Sequence, residues 1–383
     1  MARRKKKALS VKSILLSIVI LIIGVLGGYF YKLNEKPSNP ETPPVSIEGE
    51  ISFHFMTLGN ENTGDCVYIK AGENDILIDA GSRANSIDDI QTYIDTFVTD
   101  NTLEFVIATH ADQDHIAGFA KENGSLFDLY DCKTIIDFPL TDKTTETYNR
   151  YCLERDAEVQ NGAKHYTALE CYNEQNGAKK IYELSSDGSV KMEILYNYYY
   201  ENESKDENNY SVCLMFYHGG RQFLFTGDLE LDGEEKLAEK YDFTQVELFK
   251  AGHHGSKTSS NDCLLKEIQP KVCVVCCCAG SIERKTALEN LFPSQSMINR
   301  IAKYTDKVYV PTMMEIEQIA GADTPNDSSD DQYDNIGEYQ LLNGNIVVTS
   351  SKDGVKVSCS NNNIILKDTA WFNKYRKMPT EWK

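Results

Sequence analysis

The sequence predicts a layered α/β fold. Three observations carry that reading: β-branched and aromatic runs recur along the chain, helical stretches interrupt them, and 383 residues with 41% apolar content can bury a real core. The strand-like runs are Ile51–Thr57, Cys66–Lys70, Asp75–Ile78, Leu103–Ala108, Val190–Tyr196, Val212–Tyr217, Gln222–Phe225, Val246–Phe249, Val272–Cys276 and Lys307–Val310. Turn pairs such as Ala71-Gly72 and Gly219-Gly220 bound them. Helices are predicted over Ile87–Phe97 after Ser86, Glu234–Lys240, Asp262–Ile268 after Asn261, and Ser296–Lys303. Residues 141–182 read as a mostly helical insertion, and residues 323–335, DTPNDSSDDQYDN, as an acidic surface loop.

Ahead of this body lies a different kind of sequence. Residues 1–12 carry Arg3, Arg4, Lys5, Lys6, Lys7 and Lys12, and Ser13–Tyr31 contains no charge. Nineteen residues at 1.5 Å each span about 28 Å, close to a bilayer's hydrocarbon core. Tyr29, Phe30 and Tyr31 sit where an interfacial aromatic belt would lie, and the basic flank places the N-terminus in the cytoplasm. No clean small-x-small cleavage site follows Gly28, so the span reads as an uncleaved anchor, with a cleaved signal peptide as the rival reading. The expected organisation is a basic segment (1–12), a transmembrane anchor (13–31), a Pro-rich tether (32–47), a catalytic body (48–360) outside the membrane, and a C-terminal extension (361–383).

The formal net charge is −19, and seven of the 39 basic residues fall in the first 35 positions, which leaves the body more acidic still. Such a body does not hold a polyanion by bulk electrostatics, so a general DNA-coating protein is excluded. An enzyme that touches a polyanion at one metal-charged spot is not. The eleven cysteines show no disulfide framework. Cys273, Cys276, Cys277 and Cys278 in KVCVVCCCAG read as small apolar residues of a buried strand.

The chemistry concentrates at strand ends. Thr109-His110-Ala111-Asp112-Gln113-Asp114-His115 follows an apolar strand and offers four ligands in six positions, which would be costly to bury without a cation. Gly252-His253-His254-Gly255-Ser256 follows a second strand, and Phe225-Thr226-Gly227-Asp228 a third. Three strand ends that each offer His or Asp ligands are what a two-metal site requires. His54, His165 and His218 lie outside these segments and read as structural, while the tyrosines of 196–200 read either as strand packing and exposed rings or as a surface that stacks bases or sugars.

These motifs resemble the metallo-β-lactamase fold, and in their order they are most similar to the hydrolase domain of ComEC-type DNA-uptake proteins. The resemblance covers about residues 50–320. It runs through Gly64-Asp65, Ile76-Leu77-Ile78-Asp79-Ala80-Gly81, His110–His115, Asn208-Asn209-Tyr210-Ser211, Phe225–Asp228 and His253–Ser256. It implies a four-layer αββα sandwich of two sheets flanked by helices, here without the uptake proteins' polytopic channel. It also implies two divalent ions, Zn²⁺ or Mn²⁺: His110 and Asp112 on one, Asp114 and His115 on the other, Asp228 between them, and one of His253 and His254, with His254 favoured, completing the second. Asp79 would orient the His110 loop from behind. Asp114, Asp228 and His253 would carry catalysis.

Two departures stand out. The strand before Thr226-Gly227-Asp228 lacks the superfamily's extra histidine, and a later loop reads Leu291-Phe292-Pro293 where a His-Pro is usual. Asn209, Ser211, Ser256 and Lys257 are candidate phosphate contacts, with free N–H groups ahead of Asp262; N-capping by Ser260 or Asn261 is the alternative there. The expected activity is hydrolysis by a metal-bridging hydroxide, of a phosphodiester such as DNA. An ester, thioester or β-lactam hydrolase, a phosphorylcholine esterase-like enzyme, and a non-catalytic metal-stabilised binding domain are the alternatives.

Overall fold

The computed structural model describes residues 49–282, 287–319 and 332–383. The expected anchor, its basic flank and the tether lie outside the described residues. Among the described residues no helix is long and apolar enough to cross a membrane.

In chain order the strands are β1 (Ile51–Phe55), β2 (Val67–Ala71), β3 (Asn74–Ile78), β4 (Thr102–Ile107), β5 (Asp131–Asp137), β6 (Lys164–Thr167), β7 (Ile181–Glu183), β8 (Val190–Leu195) and β9 (Cys213–His218). They continue with β10 (Arg221–Phe225), β11 (Leu248–Lys250), β12 (Val272–Val274), β13 (Cys278–Ala279), β14 (Val308–Tyr309), β15 (Thr312–Gln318), β16 (Tyr333–Leu341), β17 (Ile346–Ser351) and β18 (Gly354–Cys359). The helices are α1 (Ile87–Ile94), α2 (Gln113–Ile116), α3 (Leu126–Leu129), α4 (Glu146–Asn161), α5 (Ala168–Tyr172), α6 (Leu231–Lys240), α7 (Asp262–Ile268), α8 (Gln295–Ile301) and α9 (Ala370–Tyr375).

One sheet runs β18-β17-β1-β2-β3-β4-β5-β6, a second runs β14-β12-β11-β10-β9-β8-β7, and β13-β15-β16 form a small third. The two large sheets face each other through alternate side chains, as a strand period of two requires. Phe53 of β1 meets Phe216 of β9 edge-on at 5.5 Å between ring centres and stacks on Phe223 of β10 at 4.7 Å. Cys213 and Met215 point the other way, into a second core shared with α6, α7 and α8. On the outer face of the first sheet, His54 and Tyr68 meet Tyr93 and Phe97 from and just after α1. Helices therefore cover both outsides of a two-sheet sandwich, as the resemblance implied.

The ten predicted strand runs all fall on observed strands. Several expectations are corrected. The insertion is not simply helical: beside α4 and α5 it supplies β6, which pairs in parallel with β5, and the start of β7. Lys164–Thr167 has no apolar alternation, so no sequence signal marks it. Residues 361–383 are no appendage, because Trp371, Phe372 and Trp382 are buried in the second core and Arg376 donates to the carbonyls of Leu291 and Pro293. The expected acidic loop lies mostly outside the described residues, but Tyr333–Asn335 opens β16 rather than ending a loop.

Parallel pairing sets the position of the site. β3 and β4 end in register (Ile78 beside Ile107), as do β10 and β11 (Phe225 beside Lys250). The loops that leave these ends carry the His and Asp segments to one rim, the usual place for ligands in open α/β sheets.

Candidate metal centre

Asp79 organises the first loop. It follows β3 with a left-handed φ of 59°, and its carboxylate accepts from Thr109 N–H (2.7 Å), Thr109 Oγ1 (2.8 Å) and His115 Nδ1 (2.7 Å). It thus grips both ends of the segment that carries His110 to His115. On the opposite strand end, Gly227 has φ 53°, and a Cβ there would lie 2.7 Å from Ser211 Oγ. Only glycine lets Ser211 come close enough to accept the Asp228 N–H at 3.0 Å.

Four side chains converge from three loops. His254 Nε2 lies 3.2 Å from Asp114 Oδ2 and 3.1 Å from Asp228 Oδ2, and His115 Nε2 lies 3.2 Å from that same Asp228 oxygen. The two Nε2 atoms are 3.3 Å apart. All four residues are buried. Donors at 2.0 Å from a tetrahedral ion stand about 3.3 Å from one another, so this spacing fits a divalent metal.

Tautomer chemistry strengthens the fit. His254 Nδ1 donates to the Cys276 carbonyl at 2.9 Å, and His115 Nδ1 donates to the Asp79 carboxylate. With Nδ1 protonated and the rings neutral, the two Nε2 lone pairs face each other and Asp228, and that of His254 also faces Asp114, an arrangement that calls for positive charge, from a cation or from protons on the rings. The carboxylates demand the same positive charge of the rings. Burial opposes charge on His115, but Asp228 and Asp79 outweigh it and hold its pKa well above the ordinary value. Burial likewise opposes ionisation of Asp228, but His254, His115 and Lys250 hold its carboxyl well below the usual range.

The second expected ion position is poorer. His110 is fully buried, its Nε2 has no hydrogen-bond partner, and it sits 3.6 Å from Asp112 Oδ2. Asp112 also pairs with Lys143 Nζ at 2.5 Å. Burial disfavours its ionisation, but His110 and Lys143 outweigh that and keep the carboxyl far below its usual range. No imidazole enters from the strand before Thr226-Gly227-Asp228: Asn208, Asn209 and Tyr210 lie in a helical turn, and β9 starts only at Cys213.

Two charged residues without an assigned role in the sequence reading complete the centre. Lys250, buried at the end of β11, pairs with Asp65, approaches Asp228 Oδ1 at 3.3 Å and donates to the Gly227 carbonyl at 2.9 Å. Asp65 Oδ1 also stands 3.1 Å from His254 Nδ1. Asp65, His115, Asp228 and His254 can be grouped as four close ligands, but Asp65 faces the wrong nitrogen of His254. Asp114 faces the right one. The Cys276 carbonyl takes the His254 Nδ1 proton, and Asp65 adds negative charge beside that ring.

His253 stands apart from the four donors. Its Nδ1 is 3.0 Å from Glu230 Oε1, and Glu230 also accepts from Thr258 Oγ1 at 2.7 Å. Glu230 lines a cavity of about 540 Å³ together with Tyr199, Asp206, Asn209, Lys257 and Thr258. Of the expected phosphate contacts, Lys257 and Asn209 reach this cavity. Ser211 lies beneath Asp228, and Ser256 Oγ is engaged with Thr258 Oγ1 at 2.8 Å. The N–H groups ahead of α7 are not free: Glu234 accepts from Ser260 N–H at 2.6 Å and from Asn261 N–H at 2.8 Å. Phe292, in place of the usual histidine, sets its ring 5.7 Å from His253 and 5.9 Å from His254.

The sequence model of the metallo-beta-lactamase superfamily matches residues 59–121 and 205–279, two segments that hold every converging donor. The chain has the metallo-β-lactamase fold. Over 178 residues (45% of its length) it is 26% identical to ComE operon protein 3 of Bacillus subtilis, and over 77 residues (19%) it is 40% identical to competence protein ComA of Neisseria gonorrhoeae. The matched parts span only 20% and 11% of those relatives. The metallo-β-lactamase fold protein YhfI from Bacillus subtilis superposes on 69% of this metallo-β-lactamase-fold chain and 97% of its own, with 10% identity and a TM-score of 0.40, too loose a match to support any reading.

Proposed function

We propose that the chain is a metal-dependent phosphodiesterase of the ComEC-like group, anchored by Ser13–Tyr31 and working outside the membrane. The observation that carries the hydrolytic reading is the mutual approach of His115, Asp228 and His254, joined by Asp114 against His254, at 3.1–3.3 Å with both Nε2 atoms turned inward. A divalent ion held by these four supplies Lewis-acid charge and a water acidified toward pKa ~7. Around it, Asp79 and the Cys276 carbonyl keep the two imidazoles aimed, and Lys250 fixes one oxygen of Asp228 so that the other stays turned toward the rings. His253, its Nδ1 donating to Glu230, serves as the acid that protonates the leaving oxygen through Nε2. His110 and Asp112 hold a second ion. The competence-protein relatives support a phosphodiester, DNA included, as substrate.

One observation favours a smaller substrate. The cavity beside His253 is walled by Glu203, Asp206, Glu230 and Asp232 against Lys205 and Lys257, which repels a long polyanion and suits a zwitterionic phosphodiester of the phosphorylcholine type. The full chain is assayed with single-stranded DNA, bis-p-nitrophenyl phosphate, p-nitrophenyl phosphorylcholine and a β-lactam, with and without Mn²⁺ or Zn²⁺. Metal-dependent turnover of a phosphodiester is expected. Turnover of the lactam alone, or of nothing while metal is bound, refutes the proposal.

A further inference from the structure

The insertion between the two family-matched segments reaches back into the centre. Just ahead of α4, Lys143 places Nζ 2.5 Å from Asp112 Oδ1. Glu207 fixes that approach. One of its oxygens accepts from Ala111 N–H (3.2 Å), inside the metal motif, and the other from Thr141 Oγ1 (2.9 Å) and Asp142 N–H (3.4 Å), two residues and one residue before the lysine. The lysine is thus stapled against the motif, and with side chains 31% and 22% exposed the Lys143–Asp112 pair stays open to ions.

The two ion positions are unequal in donors. Asp114, His115, Asp228 and His254 close one of them. The other offers His110 Nε2 and Asp112, while Asp228 turns Oδ2 to His115 and His254 and Oδ1 to Lys250. An ion arriving there recruits Asp112 only by separating it from an ammonium already in place.

We infer that Lys143 is a built-in competitor for the second ion: the chain binds one divalent ion tightly at Asp114, His115, Asp228 and His254, and takes another at His110 and Asp112 by displacing Lys143. The inference rests on the metal-centre reading and not on the choice of substrate.

Calorimetric titration of the chelator-stripped full chain with Mn²⁺, and separately with Zn²⁺, tests it on the wild type, Lys143→Gln and Lys143→Arg. Lys143→Gln leaves the tight step unchanged, which also reports an intact fold, and strengthens the weak step about fivefold, the ~1 kcal/mol of a part-exposed ion pair. Lys143→Arg keeps the wild-type pattern. A weak step that is equal in wild type and Lys143→Gln, or weaker in the variant, overturns the inference, as does a chain that binds no ion. A chain that binds ions in this pattern yet hydrolyses no phosphodiester leaves the inference standing and removes only the substrate assignment.

Discussion

His115 and His254 come from different sheets, yet their Nε2 atoms face each other at 3.3 Å with Nδ1 of each ring already donating elsewhere. Two neutral rings have no proton to share across that gap, and without a cation the surrounding carboxylates hold both imidazoles protonated, well above the ordinary histidine value. Two like-charged rings this close repel, so the pair is a source of instability without a cation and of affinity with one. Metal that binds the folded chain at a hundredfold excess over its Kd adds about 2.7 kcal/mol, roughly 4 °C in Tm for a body of this size. Thermal unfolding with Mn²⁺ or Zn²⁺ and then with excess chelator measures this. An unmoved Tm would count against the centre.

Asp79 bears three hydrogen bonds, two to Thr109 and one to His115. In Asp79→Ala the Thr109 N–H and His115 Nδ1 lose their acceptor, and the imidazole loses its enforced tautomer. Loss of such a backing carboxylate costs 10- to 100-fold in metal affinity by the usual scale. Titration of the tight ion into wild type and variant gives the ratio. Equal affinities would reduce Asp79 to a turn residue.

Much of this was legible because the chemistry sits in short contiguous segments. His110–His115, Thr226-Gly227-Asp228 and the His253-His254 pair each follow an apolar run, so a reader can place their ligands without knowing the sheet order. Asp65, Lys250, Lys143 and Glu230 were harder. Each becomes functional only through a partner tens or more residues away: Lys250 meets Asp65 from the other sheet, and Lys143 meets Asp112 from an insertion. A buried lysine at the end of a strand, one residue before Ala251-Gly252-His253, is an available signal, since such a charge requires carboxylate partners. The C-terminal residues 361–383 misled for a different reason: Trp371, Phe372 and Trp382 are too few and too spread to give a helical period, though together they seal the second core.

His253 and Glu230 predict a dependence on the leaving group. If His253 delivers a proton to the departing oxygen, His253→Gln slows cleavage of an alkyl phosphodiester by about 10²–10⁴-fold. A p-nitrophenyl ester, whose leaving group needs no proton, is slowed far less. Glu230→Gln moves the same way by a smaller factor. Parallel losses on both substrates would point to binding or folding, and metal titration of the variants separates those cases.

His54 gives the fold a pH limit independent of the metal centre. Its Nδ1 lies 2.8 Å from Tyr93 Oη and its Nε2 2.8 Å from Ser52 Oγ, and burial lowers its pKa from 6.5 to about 4. The folded chain therefore keeps this imidazole neutral where the unfolded chain has protonated it. Its contribution is complete above pH ~6.5 and is lost as pH falls toward 4, by up to about 3 kcal/mol for a depression of this size. Urea unfolding from pH 7 to pH 4 measures the slope for wild type and for His54→Gln, which cannot titrate there. The variant starts less stable at pH 7, and its curve falls less steeply, because protonation of the metal-site groups is common to both proteins and cancels in the comparison. Parallel curves would mean that the folded protein accepts the proton at His54 as readily as the unfolded chain does.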